Sequence, residues 1–153
     1  MHADVAPIAF LLGTWVGEGE GRYPTIEDFR YREEVAFREV GKPYLSYVQR
    51  TWALDDGRPL HAESGYLRPV GGDELEYLVS HPTGLAEIGG GRVVGSHVLL
   101  HARVTRTPSA LAVDAVERDL VVEGDVLRYE LRMAMAEVPI QRHLVATLRR
   151  GDA

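Results

Sequence analysis

The sequence predicts an all-β fold: about ten antiparallel strands in an up-and-down β-barrel, preceded by a short N-terminal helical turn. Three observations predict it. Apolar and polar residues alternate with a period of two along much of the chain, the mark of strands with one buried side. Clusters of Gly, Pro, Asp and Ser recur about every 8–15 residues, which is strand-and-turn spacing. No stretch shows the 3.6-residue periodicity of an amphipathic helix. Short sequential links favour neighbouring antiparallel strands. Such a meander tends to close, because closure removes exposed edges. A two-sheet sandwich is the competing arrangement.

The elements follow in order. Residues 7–12 read as a helical turn with Pro7 at its start. The next stretch, Gly13-Thr14-Trp15-Val16-Gly17-Glu18-Gly19-Glu20-Gly21, reads as the first strand. One face carries Gly13, Trp15, Gly17, Gly19 and Gly21, so it shows one indole and otherwise bare backbone. Glycine inside a strand marks a bend, a bulge or a close approach. Two readings stand side by side. Trp15 closes one end of the barrel and the glycines leave room for a ligand, or the glycines only let the strand bend. Tyr23-Pro24-Thr25-Ile26 is a loop, since Pro24 forces Tyr23 out of the helical region.

Residues 29–40 alternate, with Phe29, Tyr31, Val35 and Phe37 on one face and Arg30, Arg32, Glu34 and Arg38 on the other. Gly41-Lys42-Pro43 turns the chain. Residues 44–54 are rich in aromatic and β-branched side chains, and Asp55-Asp56-Gly57 is a hairpin signal. Further strands are expected at 58–68 and 75–81, and a short one at 85–88 that stops at Gly89-Gly90-Gly91. Residues 92–106 read as one broken or two short strands. The last strands fall at 111–122, 126–137 and 140–149, with Leu127, Tyr129, Leu131, Met133 and Met135 sharing a face.

The bulk numbers bound the function. A chain of 153 residues is one domain, and 45% hydrophobic content is enough to fold it around a core or cavity. The net charge of −6 argues against a nucleic-acid surface. No cysteine is present, which excludes disulfides, thiolate metal sites and cysteine nucleophiles. The apolar run at 7–12 is too short for a signal peptide or a membrane span, so a cytoplasmic protein is expected. No HExxH, P-loop, GxGxxG or GxSxG motif appears.

The histidines are weighed singly. His2 lies in what reads as a frayed terminus. His97 and His101 are four residues apart, about 13 Å along a strand, too far for one metal ion. His61 and Glu63 share a strand face about 7 Å apart and form a candidate polar pair, without metal-motif spacing. His81 precedes Pro82 at a turn, where a backbone bond accounts for it. His143 alternates with Gln141, Val145 and Thr147, opposite Leu144, Ala146 and Leu148. Periodicity therefore makes the leucine face the core and turns His143 outward, unless the mixed face lines a cavity.

Taken together, Gly13-x-Trp15-x-Gly17-x-Gly19, Tyr23-Pro24-Thr25-Ile26, Gly41-Lys42-Pro43, Gly65-Tyr66, Pro82-Thr83-Gly84 and His143-Leu144 resemble the nitrobindins, in order and over almost the entire chain. The resemblance implies one nitrobindin-like domain over residues 1–153, a barrel of the lipocalin and fatty-acid-binding type. It implies one haem b per chain with His143 as axial iron ligand, and Thr25 near the haem. It also implies peroxynitrite isomerisation to nitrate at ferric iron, reversible nitric oxide binding and no catalytic side chain beyond the iron; no nucleic-acid or membrane partner is expected, and a homodimer is allowed. One departure stands out: Ser109-Ala110-Leu111-Ala112 has no Lys where some relatives place one. The alternatives are an apolar-ligand carrier of the fatty-acid type without catalysis, and a nitric oxide carrier or sensor.

Overall fold

The computed structural model describes residues 1–151. A 3₁₀ helix over Ala3–Leu11 leads into ten strands. These are β1 (Gly13–Tyr23), β2 (Ile26–Glu39), β3 (Leu45–Ala53), β4 (Pro59–Gly71), β5 (Glu74–His81), β6 (Leu85–Val94), β7 (His97–Arg106), β8 (Val113–Glu123), β9 (Val126–Met135) and β10 (Val138–Arg150). Each pairs antiparallel with its sequence neighbour, and β1 pairs with β10 to close the barrel. The expected all-β barrel is the fold. A sandwich is ruled out by the β1–β10 seam, whose register runs unbroken from Trp15↔Arg150 to Gly21↔Leu144.

Three local expectations change. The helix starts earlier than residue 7 and carries Pro7 inside it. His2 is not frayed: its Nδ1 accepts the Asp4 amide at 3.2 Å and caps the first turn. The strand expected at 85–88 runs on to Val94 through the glycine triplet. Side chains at Gly89 and Gly91 would strike the carbonyls of His101 and Leu99, so these glycines admit the neighbouring strand rather than end their own.

The two ends of the barrel differ. The 3₁₀ helix covers one end, burying Val5, Ile8 and Leu11 completely against Trp15, Phe37, Leu45, Leu67, Leu75 and Leu148. Trp15 is fully buried there; its Nε1–H donates to the Leu11 carbonyl at 2.8 Å. The Arg150 guanidinium lies 4.2 Å over the indole and donates to the carbonyls of Leu12 and Phe10. The other end is formed by the turns after β1, β3, β5, β7 and β9. Among the described residues no helix covers it, and its interior residues Phe29, Leu85, Val104, Met133, Met135 and Leu144 stay half-exposed. Among the described residues no helix is long and apolar enough to cross a membrane.

Candidate functional site

His143 faces the interior at the open end, and a β-bulge puts it there. The β9–β10 ladder pairs Arg132 with Arg142 and then Leu131 with Leu144, leaving His143 as an extra residue on β10. An extra residue breaks strict alternation. Leu144, Ala146 and Leu148 keep the inward face, as periodicity expects, and His143 joins them instead of pointing out. Its ring packs edge-on against Tyr23, with centroids 5.4 Å apart, and against Phe29 at 6.4 Å. Nδ1–H donates to the Arg22 carbonyl at 3.0 Å. That bond assigns the remaining lone pair to Nε2, which has no partner among the described residues. Burial pushes the imidazole pKa below its ordinary value, partly opposed by the Arg22 bond, and the His61 charge lowers it further.

The first-strand glycines lie on the inward face but do not leave an open surface. The Tyr31 ring occupies the space over Gly19, and the Phe29 ring that over Gly21; a side chain at Gly17 would strike the Thr147 carbonyl. Gly13 has φ +126° beside the Arg150 side chain. The glycines make room for aromatic side chains and for β10, and any ligand meets those rings first. Thr25 is exposed in the β1–β2 turn, next to Tyr23 and at the same end as His143. The loop holding Ser109, Ala110, Leu111 and Ala112 joins β7 to β8 at that end too.

Below the open end lies a polar layer that the sequence reading missed. Glu33, Gln49, Glu63 and Glu87 are all at most 6% exposed. Glu33 accepts from Tyr129 at 2.7 Å and from Gln49 Nε2 at 2.8 Å, and Tyr129 also bonds Tyr31 at 2.7 Å. Burial raises the Glu33 carboxyl to about 7, although both hydrogen bonds pull it down. Arg118 is the central cation. It reaches Glu63 Oε2 at 2.7 Å and Glu87 Oε2 at 2.5 Å. Burial opposes ionisation of both glutamates, but Arg118 and the neighbouring histidines outweigh it and hold both carboxyls below the usual range. Tyr47 donates to Glu63 at 3.0 Å and Tyr77 to Glu87 at 2.9 Å.

The expected His61–Glu63 pair forms, with His61 Nε2 3.1 Å from Glu63 Oε1, and it takes in a third member. The His81 carbonyl accepts the Gly84 amide in the turn, but the imidazole does not serve the backbone there. Its Nδ1 meets His61 Nε2 at 3.1 Å, and its Nε2–H donates to Glu87 Oε2 at 2.6 Å. The signal was in the register: Ser64 pairs with Ser80, so the next step along the hairpin brings Glu63 and His81 side by side. His97 bonds Asp119 elsewhere on the barrel, and His101 is exposed, so those two share no site.

Fold and site together define a closed β-barrel with one uncovered end and an inward-facing histidine there. A family model described as "THAP4-like, heme-binding beta-barrel domain" matches residues 4–150. The chain belongs to this family, the nitrobindins. It is 46% identical over 155 aligned positions to the peroxynitrite isomerase of Nocardia farcinica, covering 98% of this chain and 92% of that one. It is 48% identical over 147 positions to peroxynitrite isomerase 1 of Rhodococcus jostii, covering 95% and 82%. The crystal structure of Rv2717c from M. tuberculosis superposes with a TM-score of 0.93 at 40% identity, covering 99% of each chain. The residues present fit a haem. An imidazole with one nitrogen anchored and the other free stands among half-exposed apolar side chains.

Proposed function

We propose that the chain binds one haem b through His143 Nε2, isomerises peroxynitrite to nitrate with the iron ferric, and binds nitric oxide reversibly. The observation that carries this reading is the His143 geometry: interior, anchored at Nδ1 and unpartnered at Nε2. Relatives named peroxynitrite isomerase, at 46% and 48% identity, support the reaction. When bound, a ferric haem held by His143 would supply a Lewis-acid centre for the peroxynitrite anion.

The chain's own residues do the rest. Burial keeps the His143 imidazole neutral at physiological pH, so its lone pair is available. The Arg22 carbonyl fixes the tautomer and makes the free nitrogen a better donor. Tyr23 and Phe29 hold the plane of the ring. Phe29, Leu85, Val104, Met133, Met135 and Leu144 give the macrocycle an apolar seat and exclude water from it. Thr25, exposed in the β1–β2 turn at the same end as His143, would approach the bound haem. No side chain is assigned a proton-transfer step, because isomerisation of the anion requires none.

A haemin titration followed by absorption tests this on wild type and His143→Ala. The expected result is a saturable Soret band at one haem per chain in wild type, shifted or lost in the variant. Stopped-flow peroxynitrite decay then has to run faster with the loaded protein than with free haemin. The absence of a Soret band in wild type would make the open end a seat for another apolar ligand and end this reading.

A further inference from the structure

We propose that His61, Glu63 and His81 form a second metal site, separate from His143, that takes a divalent first-row cation of the zinc type. Three donor atoms converge there. His61 Nε2 lies 3.1 Å from Glu63 Oε1 and 3.1 Å from His81 Nδ1, and His81 Nδ1 lies 3.7 Å from Glu63 Oε1. Tetrahedral zinc with nitrogen and oxygen bonds of about 2.0–2.1 Å has donor–donor edges of about 3.3–3.4 Å. The triangle already has that size, so a cation fits with shifts of a few tenths of an ångström. Two imidazoles and a carboxylate are also a ligand set of open zinc sites, which keep a fourth position for water or substrate.

The surroundings are those a bound cation needs. His81 Nε2–H donates to the Glu87 carboxylate at 2.6 Å, which leaves Nδ1 as the free donor and makes the imidazole a stronger one. Glu63 is 6% exposed, and its Oε2 is held by Arg118 and by the Tyr47 hydroxyl, so Oε1 is turned to the histidines. Arg118 is shared between Glu63 and Glu87, so these three groups sum to one negative charge before any cation enters. Without a metal, one proton must serve the close His61–His81 contact and Glu63 Oε1 together. A dication replaces that proton and satisfies all three donors at once. The His61 side chain is 32% exposed, which leaves a solvent path to the cluster.

The test uses the full chain after chelator treatment and dialysis, titrated with Co²⁺ as the spectroscopic probe and then with Zn²⁺. The expected result is one Co²⁺ per chain with the intense visible bands of low-coordinate cobalt, bleached by one equivalent of Zn²⁺. His61→Ala and His81→Gln abolish the bands, and Glu87→Gln weakens binding about 10–100-fold. His143→Ala and His97→Ala bind as wild type does. Glu63→Gln leaves Arg118 short of a partner and is used only if circular dichroism shows it folded; the two histidine variants carry the test otherwise. No cobalt bands in wild type, or bands unchanged in both His61→Ala and His81→Gln, would reduce the cluster to a hydrogen-bonded network and overturn the proposal. Loss of the bands in His143→Ala would place the metal on the haem ligand and overturn it equally. The haemin titration is independent: a failed Soret band leaves the cobalt result standing, and the reverse.

Discussion

At the scale of single residues, His143 shows what alternation can and cannot reveal. The leucine face of the last strand was legible, and Leu144, Ala146 and Leu148 line the interior. The bulge was not legible. One inserted residue leaves no trace in composition, yet it moves one side chain to the other face. Only the motif resemblance pointed to His143, and the bulge supplies the physical reason. Glu33 was hidden differently. It falls on the apolar face of its strand between Tyr31 and Val35, where an acidic residue reads as noise. Its burial has a measurable consequence. The unfolded carboxyl ionises near its ordinary value, whereas the folded one keeps its proton to about 7. Between those values the native state binds more protons, so stability falls as pH rises and levels off above about 7. The ionised carboxylate costs the fold on the order of 3 kcal/mol. Urea melts at about pH 5 and about pH 8 check this: Glu33→Gln flattens the difference seen in wild type. An equal pH dependence in both proteins would show that Glu33 is not its source.

At the scale of elements, β1 and the 3₁₀ helix carry the two clearest tests. Of the two readings of the glycine face, neither ligand room nor simple bending describes what fills it. Side chains from β2 lie across the glycines, and β10 comes close to Gly17. That outcome depends on which strands pair with β1, which a single strand's sequence does not encode. Gly17→Ala forces the backbone of β10 aside at Thr147, whereas Gly19→Ala meets side-chain atoms, those of Tyr31 and the Ala146 methyl. Overpacking of this kind costs roughly 1–3 kcal/mol, and Gly17→Ala is expected at the upper end. Thermal melts of the two variants decide the order; Gly17→Ala melting with wild type would remove the close approach. The helix acts as a plug. Removing residues 1–11 uncovers Trp15 and strips its Nε1–H of the Leu11 carbonyl. The expected result is a red-shifted tryptophan emission with a large loss of stability, and unchanged emission would show that the strands alone bury the indole.

At the scale of the whole molecule, the barrel was legible because alternation, turn residues and short links all agree with one topology. What was not legible is the layering of its interior. A plugged apolar end, a buried polar middle and an open, half-apolar end follow from registers between strands, and registers join residues far apart in sequence. Glu63 and His81, or Glu87 and Arg118, become neighbours only when the sheet is assembled. Closure itself is testable by hydrogen exchange. With β1 bonded to both β2 and β10, its amides are expected to exchange as slowly as those of β5. Rapid exchange confined to β1 and β10 would mean that the seam opens in solution.

That seam also sets a schedule. A ribosome delivers β1 before any other strand and β10 after all of them, at roughly 5–20 residues per second. For seconds, the nascent β1 has β2 on one side and nothing on the other. Its outward Glu18, Glu20 and Arg22 keep that waiting edge charged and discourage a wrong partner. The histidine that would take the haem arrives on the last strand. If His143 takes the haem, capture waits until β10 has closed the barrel against β1.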